Sequence, residues 1–206
     1  MRQLGSDHQV IGLDRNKSDF EHQGRWVKTD LMKNRRLKKL FTFIDPDIVI
    51  HSLAKVDVDE CERNPESARQ INQFLTQEIL LAAPKKAKFV YISTDQVFSG
   101  EKPFAKESDP TLPKNIYGIT KLSGESAVRK SGRPHLILRT NFFGWSSGRK
   151  KNFGEWVLKS LREKKQIRLF KDFFFTPLYV GHLEESIGVM LSRQAGASTG
   201  AMSSTA

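Results

Sequence analysis

The sequence predicts a doubly wound α/β fold, in which a parallel sheet is covered by helices on both faces. Short apolar segments alternate along the chain with longer segments in which apolar residues recur at helical spacing. The strand segments are apolar almost without interruption, as expected for strands that are buried on both faces. With 206 residues, the chain has room for one large domain, or for one domain and a fragment.

The predicted strands are short runs of β-branched, aromatic and other apolar residues. The sequence IVIHS, for example, follows directly after the stop signal Asp45-Pro46-Asp47. The predicted strands are Gln9–Asp14, Ile48–Ser52, Lys88–Ser93, His135–Thr140 and Gln166–Phe170.

The segments between these strands have helical character. In the first of them, Leu37, Leu40 and Ile44 share one helix face. The second begins near Pro65, and proline is favoured in the first turn of a helix. The predicted helices are Leu31–Ile44, Pro65–Ala83, Ile116–Lys130, Asn152–Glu163 and Val180–Arg193.

The composition argues against several classes of protein. No apolar run approaches the ~18 residues that a membrane span needs, and the polar start Met1–Gln9 lacks the apolar core of a secretory signal. The single cysteine, Cys61, rules out an internal disulfide and a cysteine-cluster zinc site, and it suits a reducing cytoplasm. We therefore expect no metal site and a cytoplasmic location.

The chain is strongly basic, since 34 Lys and Arg against 23 Asp and Glu give a net charge of +11. Such a charge attracts anionic partners, such as nucleotides, nucleic acid or acidic lipid. The basic residues lie in short separate runs, however, and no zinc-finger, RNP-type or basic-zipper pattern accompanies them. We therefore expect neither nucleic acid nor a membrane as a partner.

Tyr117 and Lys121 lie four residues apart on a predicted helix, so their side chains share one face. An ammonium beside a phenol favours the phenolate and would lower the pKa of the tyrosine from its usual ~10, which suits a general acid or base. Upstream, Ser93 and Thr94 end the strand Lys88–Ser93, at the edge where open α/β sheets bind ligands. Alternatively, these hydroxyls only cap a loop.

Three motifs together resemble the extended short-chain dehydrogenase/reductase superfamily. They are FVYISTDQVFSG from Phe89, YGITKLSGE from Tyr117, and Leu138-Arg139-Thr140. The pattern S-T-D-x-V-F-x-G followed by P-x-N-x-Y-G-x-T-K-L-x-G-E is most similar to dTDP-4-dehydrorhamnose reductase and related sugar-nucleotide reductases. The resemblance runs from about residue 9 to residue 193.

This resemblance implies a Rossmann-like fold, NADP or NAD as the cofactor, and a nucleotide-sugar substrate. It makes Tyr117 the general acid that protonates the keto oxygen of the sugar. Lys121 becomes the group that adjusts the pKa of this tyrosine and contacts the nicotinamide ribose. Thr94 becomes the hydroxyl that positions the carbonyl.

The resemblance also implies a set of cofactor contacts. Asp14 matches the acidic residue that binds the adenosine ribose, which favours NAD, while Arg15 could pair with the 2′-phosphate of NADP, so the choice of cofactor stays open. The other implied cofactor residues are Asp30 and Leu31 beside the adenine, Leu53, Ala54 and Lys55 in the loop after His51, and Asn72 on the following helix.

The chain departs from the family pattern at both ends. The family begins with a strand and a glycine-rich turn that receives the cofactor diphosphate, whereas here the second strand is reached by Gln9. We therefore expect a chain truncated at both ends, a sheet that lacks the first strand and the glycine-rich loop, and weak cofactor binding. Residues 1–193 would form the NAD(P)-binding domain with part of the substrate lobe, about 141–180, and 194–206 a flexible tail.

The leading function is NAD(P)H-dependent reduction of a keto-sugar nucleotide such as dTDP-4-dehydrorhamnose, with Tyr117 as the proton donor. The basic run Arg149–Lys151 would lie near the substrate diphosphate. The alternative is a non-catalytic relative, acting as a regulatory or scaffold subunit or as an inactive fragment, which the missing glycine-rich loop motivates. An epimerase or dehydratase ranks lower, because Asp95-Gln96 supplies only one carboxylate beside the threonine. The sugar and the oligomeric state stay open, with a homodimer among the options.

Overall fold

The structure is a computed structural model, and it describes residues 8–15, 24–33, 36–101, 103–145, 153–168 and 176–193. Contacts divide the described chain into two units. The first unit comprises the described residues up to Lys28 and those from Asn141 to Arg193, and the second comprises those from Thr29 to Thr140. The basic run Arg149–Lys151, the expected tail 194–206 and residues 1–7 lie outside the described residues.

The strands of the described residues pair in parallel throughout. In the first unit β1 pairs with β2, and β6 with β7; in the second unit the sheet has the order β3-β4-β5. The strands are β1 (Ile11–Asp14), β2 (Arg25–Lys28), β3 (Ile48–His51), β4 (Lys88–Ser93), β5 (His135–Arg139), β6 (Asn141–Phe143) and β7 (Pro177–Tyr179). This arrangement confirms the α/β fold with parallel sheets.

Helices separate most of these strands. They are α1 (Leu37–Ile44), α2 (Val58–Arg63), α3 (Pro65–Arg69), α4 (Leu75–Ala82), α5 (Ile116–Lys130), α6 (Phe153–Arg162) and α7 (Val180–Arg193). The π-helical turn Gln70–Phe74 joins α3 to α4. A 3-10 turn, Asp95–Val97, follows β4.

Two predicted elements differ from the structure. Helix α1 begins later than expected, because Asp30 Oδ1 accepts a hydrogen bond from Met32 N at 3.0 Å and holds this segment in a turn. The predicted strand Gln166–Phe170 is wrong over its described part, since residues 166–168 are irregular. Ile167 is the only apolar residue in that part, which is too little to define a buried strand.

The core of the second unit is centred on β4. Phe89, Val90 and Tyr91 are all fully buried, as expected for a central strand covered on both faces. Helix α5 lies close to this strand at Gly124, where a Cβ atom would overlap the hydroxyl of Tyr91. The glycine therefore lets the helix that carries Tyr117 and Lys121 approach the sheet closely.

The carboxylate of Glu125, on α5, is fully buried and ties that helix to the sheet. It accepts hydrogen bonds from Arg139 Nη2 at 2.8 Å on β5, from Ser93 Oγ at 2.6 Å at the end of β4, and from Arg129 Nη2 at 2.9 Å on its own helix. Burial alone raises the pKa of Glu125. The hydrogen bonds from Arg139 and Ser93 and the two positive charges outweigh this effect, so the pKa lies below its usual value.

We predict that Glu125→Gln destabilises the fold by about 3 kcal/mol at pH 7, because it leaves the buried Arg139 guanidinium without its counter-charge. A carboxylate with a lowered pKa stabilises the fold above its unfolded pKa of ~4.3, and this contribution is lost as pH falls through the folded pKa. The difference between wild type and Glu125→Gln should therefore shrink in acid. Urea unfolding at pH 3 to 8 measures it.

The matched control is Glu78→Gln, which alters an exposed carboxylate on α4 and should change the free energy of unfolding by less than about 0.5 kcal/mol. A difference between wild type and Glu125→Gln that stays constant from pH 8 to pH 3 would contradict the ionic role of Glu125.

Candidate active site

Thr94 follows β4 directly and is buried at the start of the 3-10 turn Asp95–Val97. Its Oγ1 accepts a hydrogen bond from Gln96 N at 3.2 Å and donates one to Asp95 Oδ1 at 3.1 Å. Thr94 therefore does cap this turn, as the structural alternative in the sequence suggested. Capping fixes the threonine hydroxyl at the carboxyl end of the sheet.

Tyr117 lies in the first turn of α5, which begins at the N-cap residue Asn115. The Thr94 side chain lies close enough to the Tyr117 hydroxyl to lower the pKa of the phenol. Its ring packs against Cys61 and Ala68 in a small buried cluster. The structure therefore brings together the hydroxyls of Thr94 and Tyr117, two of the residues that the sequence assigned to one site.

Burial raises the pKa of Tyr117 to about 12. The neighbouring Thr94 side chain acts in the opposite direction, and the negative charge of Asp95 raises the pKa further. The sequence led us to expect a pKa lowered by Lys121. The structure contradicts that expectation, because loss of solvation outweighs any stabilisation of the phenolate.

The reason lies in the position of the Lys121 ammonium. Lys121 is almost fully buried, and its Nζ donates a hydrogen bond to the backbone oxygen of Ile92 at 2.6 Å. Nζ also lies 4.1 Å from the ring centre of Tyr91. Burial lowers the pKa of Lys121 to about 7, while the charge of Glu125 raises it. Near neutral pH this lysine is therefore close to the midpoint of its titration.

A buried hydrogen-bond network surrounds Tyr91 and Lys121. His51 Nε2 lies 3.0 Å from Thr76 Oγ1, and Thr76 Oγ1 donates to the backbone oxygen of Asn72 at 2.9 Å. Burial lowers the pKa of His51 to about 3, and the Lys121 charge adds to this effect. His51 is therefore neutral at physiological pH and serves as a hydrogen-bonding residue of the core.

Asn72, in the π-helical turn, holds the loop that follows β3. Its Oδ1 accepts a hydrogen bond from Lys55 N at 2.8 Å, and its Nδ2 donates to Lys55 O at 3.1 Å and to Thr120 Oγ1 at 3.0 Å. Leu53 and Ala54, just before Lys55, are half-buried. Asn72 is fully buried and its amide is engaged on both sides, so it acts on this loop rather than on a ligand.

The remaining residues predicted to bind the cofactor belong to three separate segments of the sequence. The ammonium of Lys55 lies 3.4 Å from Glu60 Oε1 and 3.1 Å from Ser67 Oγ. In the turn after β2, Leu31 is buried and Asp30 is half-buried. Asp14 and Arg15 belong to the first unit, where both are exposed at the end of β1. Among the predicted residues of the second unit, the structure therefore brings Asn72 together with Lys55, and Tyr117 together with Thr94.

Sequence reasoning missed several residues that support this site. Asn115 caps α5 through a hydrogen bond from Gly118 N to Oδ1 at 2.7 Å, and its Nδ2 donates to Gln96 Oε1 at 2.8 Å. The capping preference of asparagine at a helix start was a usable signal. Glu125 and Arg139 carried no such signal, because their pairing depends on the packing of α5 against β5.

No group of three or more His, Cys, Asp or Glu side chains among the described residues is placed to hold a metal ion. No helix in the described part of the chain has the length and apolar character required to cross a membrane.

Known proteins share this sequence pattern. The chain matches the family described as the RmlD substrate binding domain over residues 1–202. The dTDP-4-dehydrorhamnose reductase of Burkholderia thailandensis is 33% identical over 181 residues, covering 84% of this chain and 59% of the relative. In eight curated relatives, the matched part spans between 37% and 59% of the relative's own length.

Solved structures show the same fold. A hypothetical dTDP-4-dehydrorhamnose reductase from Sulfolobus tokodaii has a TM-score of 0.80 and 34% identity, covering 96% of this chain and 69% of that one. The dTDP-4-dehydrorhamnose reductase of Bacillus anthracis in complex with NADP has a TM-score of 0.81 and 25% identity, covering 97% and 76%. The family resemblance seen in the sequence is thereby confirmed, and this chain belongs to the RmlD substrate binding domain family.

Proposed function

We propose that this chain carries the proton-donating site of an NAD(P)H-dependent reductase that acts on a keto-sugar nucleotide such as dTDP-4-dehydrorhamnose. The observation that carries this proposal is the placement of the buried Tyr117 beside the buried Thr94 side chain at the carboxyl end of β4. Relatives named dTDP-4-dehydrorhamnose reductase, one of them solved with NADP, support the same class of reaction.

Tyr117 is suited to donate a proton. Its hydroxyl is protonated at neutral pH, so it holds the proton that reduction of the ketone consumes. The raised pKa of about 12 makes it a weaker acid than a free tyrosine, so proton release requires a positive charge near the phenol. The proton passes from the Tyr117 hydroxyl to the keto oxygen while a hydride adds to the carbonyl carbon, which turns the ketone into an alcohol. The hydroxyl of Thr94 orients the same oxygen.

Lys121 then stabilises the charge that proton donation creates. When Tyr117 loses its proton, a phenolate is left in a buried site, where a negative charge is costly. We assign this role to a protonated Lys121, whose ammonium is bonded to the Ile92 carbonyl in the structure and would have to turn toward the phenolate. The pKa of Lys121, about 7 in the neutral site, would rise once the phenolate forms, because opposite charges favour each other's ionisation.

The donor chemistry of these residues fits a nicotinamide dinucleotide, which when bound supplies the hydride. The Lys121 ammonium is a donor suited to ribose hydroxyls, and the Asn72 amide gives the Leu53–Lys55 loop a fixed course. We assign to the cofactor the residues Asp14, Arg15, Asp30, Leu31, Leu53, Ala54, Lys55, Asn72, Tyr117 and Lys121, with Asn72 acting through the loop.

The reductase is favoured over a non-catalytic subunit because a scaffold role does not require a buried contact between the hydroxyls of Thr94 and Tyr117. Weak cofactor binding, a cytoplasmic location and a homodimer stay predictions.

We predict that Tyr117→Phe lowers turnover of dTDP-4-dehydrorhamnose with NADPH by ~10²–10⁴-fold, since it removes the proton donor and little else. Cofactor affinity should stay nearly unchanged, because the ring and its packing remain. Steady-state kinetics and a calorimetric titration measure the two effects. The control, Glu78→Gln, alters an exposed side chain on α4 and should leave turnover unchanged. Wild-type turnover in Tyr117→Phe would refute the assignment.

A second prediction concerns the choice of cofactor. If Arg15 pairs with the 2′-phosphate, Arg15→Ala should weaken NADPH binding by roughly 10- to 100-fold, as loss of a charge-assisted hydrogen bond does, and should leave NADH binding unchanged. Calorimetric titration of both cofactors provides the comparison, with Arg63→Ala as the exposed-arginine control. An equal loss for NADH and NADPH would show that Arg15 acts through the fold or through a group common to both.

A further inference from the structure

We infer that Asn115 and Gln96 form a positioning pair that sets the separation of the Tyr117 and Thr94 hydroxyls. This inference rests on the proposed function, in which these two hydroxyls meet the same carbonyl oxygen. Neither Asn115 nor Gln96 is proposed to touch the substrate. The pair acts by joining the two short segments from which the hydroxyls project.

One end of the link is the start of α5. Asn115 has extended backbone geometry, with φ −138° and ψ 161°, and its Oδ1 accepts the hydrogen bond from Gly118 N at 2.7 Å. This N-cap closes the first helical turn, which carries Tyr117. The other half of the same amide points out of the helix, and Nδ2 donates to Gln96 Oε1 at 2.8 Å.

The other end of the link is the 3-10 turn after β4. Gln96 is the middle residue of this turn, and its backbone N–H is bound by Thr94 Oγ1 at 3.2 Å. Gln96 is thus attached to Thr94 through its backbone and to Asn115 through its side chain. Two hydrogen bonds therefore connect the Thr94 hydroxyl to the cap of the helix that carries Tyr117.

Close packing leaves this link little freedom. A Cβ atom at Gly118 would overlap the backbone oxygen of Gln96 and would lie 3.0 Å from Pro113 Cβ. The helix start and the turn are therefore in direct backbone contact at this point. The hydrogen bond between the Asn115 and Gln96 amides adds a second restraint on the relative position of the helix start and the turn.

The residue type at position 115 follows from this double task. A helix cap requires an acceptor, which serine, threonine and aspartate also supply. Only asparagine adds an N–H donor on the same short side chain in a neutral group. The link thus adds no charge close to Tyr117, whose ionisation depends on the charges around it.

A second restraint at the helix start provides a matched control. Glu62 Oε1 accepts a hydrogen bond from Ile116 N at 2.7 Å and so holds α5 from the side of α2. It binds the same first turn as Asn115. Glu62 joins α5 to α2 and not to the turn after β4. The variant Glu62→Ala therefore removes a hydrogen bond of similar length and leaves the Asn115–Gln96 link intact.

The experiment follows the environment of the Tyr117 hydroxyl by NMR of the whole chain labelled with ¹³Cζ-tyrosine. The chain has 3 tyrosines, so Tyr117→Phe assigns the signal. Thr94→Val removes the neighbouring hydroxyl and defines the shift change that its loss produces. Gln96→Ala and Asn115→Ser each break the link, and the serine keeps a helix cap.

If the pair positions the hydroxyls, Gln96→Ala and Asn115→Ser each move the Tyr117 signal in the direction of Thr94→Val. In the Gln96→Ala background, Thr94→Val then produces less than half of its wild-type effect. Glu62→Ala leaves the signal near its wild-type position. Amide spectra of all variants verify that the rest of the chain stays folded.

Full additivity of Gln96→Ala and Thr94→Val, or an unmoved Tyr117 signal in both link variants, would overturn the inference. If one link variant fails to fold, the other decides, since both break the same hydrogen bond. The readout does not depend on turnover. A negative result in the Tyr117→Phe kinetics would therefore count against the reductase, and a negative result here against the positioning pair.

Discussion

The candidate site depends on how closely α5 is held to β4, and the buried carboxylate of Glu125 provides the strongest restraint. It receives hydrogen bonds from the ends of two neighbouring strands, at Ser93 and Arg139, while lying on the helix that carries Tyr117. Ser93 is the residue just before Thr94. A shift of the helix would therefore separate the two hydroxyls and break a buried ion pair at the same time, which makes such a shift costly.

Burial explains the electrostatics of the site better than any single charge. Loss of solvation favours the neutral form of every ionisable group, so it raises the pKa of Tyr117 and lowers the pKa values of Lys121 and His51. The site thus disfavours charge on both the phenol and the amine. In the proposed reaction, a charge appears on Tyr117 only when its proton is transferred.

The parts of the fold that sequence could predict are those with a long periodic signal. Helix α5 and strand β4 have the predicted bounds, because a 15-residue helix with a capping asparagine and a continuous apolar run are unambiguous. Strands β2, β6 and β7 have only three or four residues, and their pairing partners, not their composition, define them.

The candidate site shows the same contrast between features that the sequence could predict and features that it could not. The meeting of Thr94 with Tyr117 follows from the position of a hydroxyl at a strand end and a phenol at a helix start. The direction of the Lys121 side chain could not be predicted, because a four-residue spacing fixes the position of Cβ but not the conformation of the long side chain. In the structure its ammonium binds the Ile92 carbonyl.

Neutral amides hold the loops at the carboxyl ends of the neighbouring strands β3 and β4. Asn72 binds both backbone groups of Lys55 after β3, and Asn115 binds Gln96 after β4 while capping α5. An amide can restrain two segments at once because it has a donor and an acceptor. A carboxylate or an ammonium in either place would act on the pKa values of Tyr117 and Lys121 across a poorly solvated site. Positioning by amides therefore holds these two loops without adding a charge beside Tyr117 or Lys121.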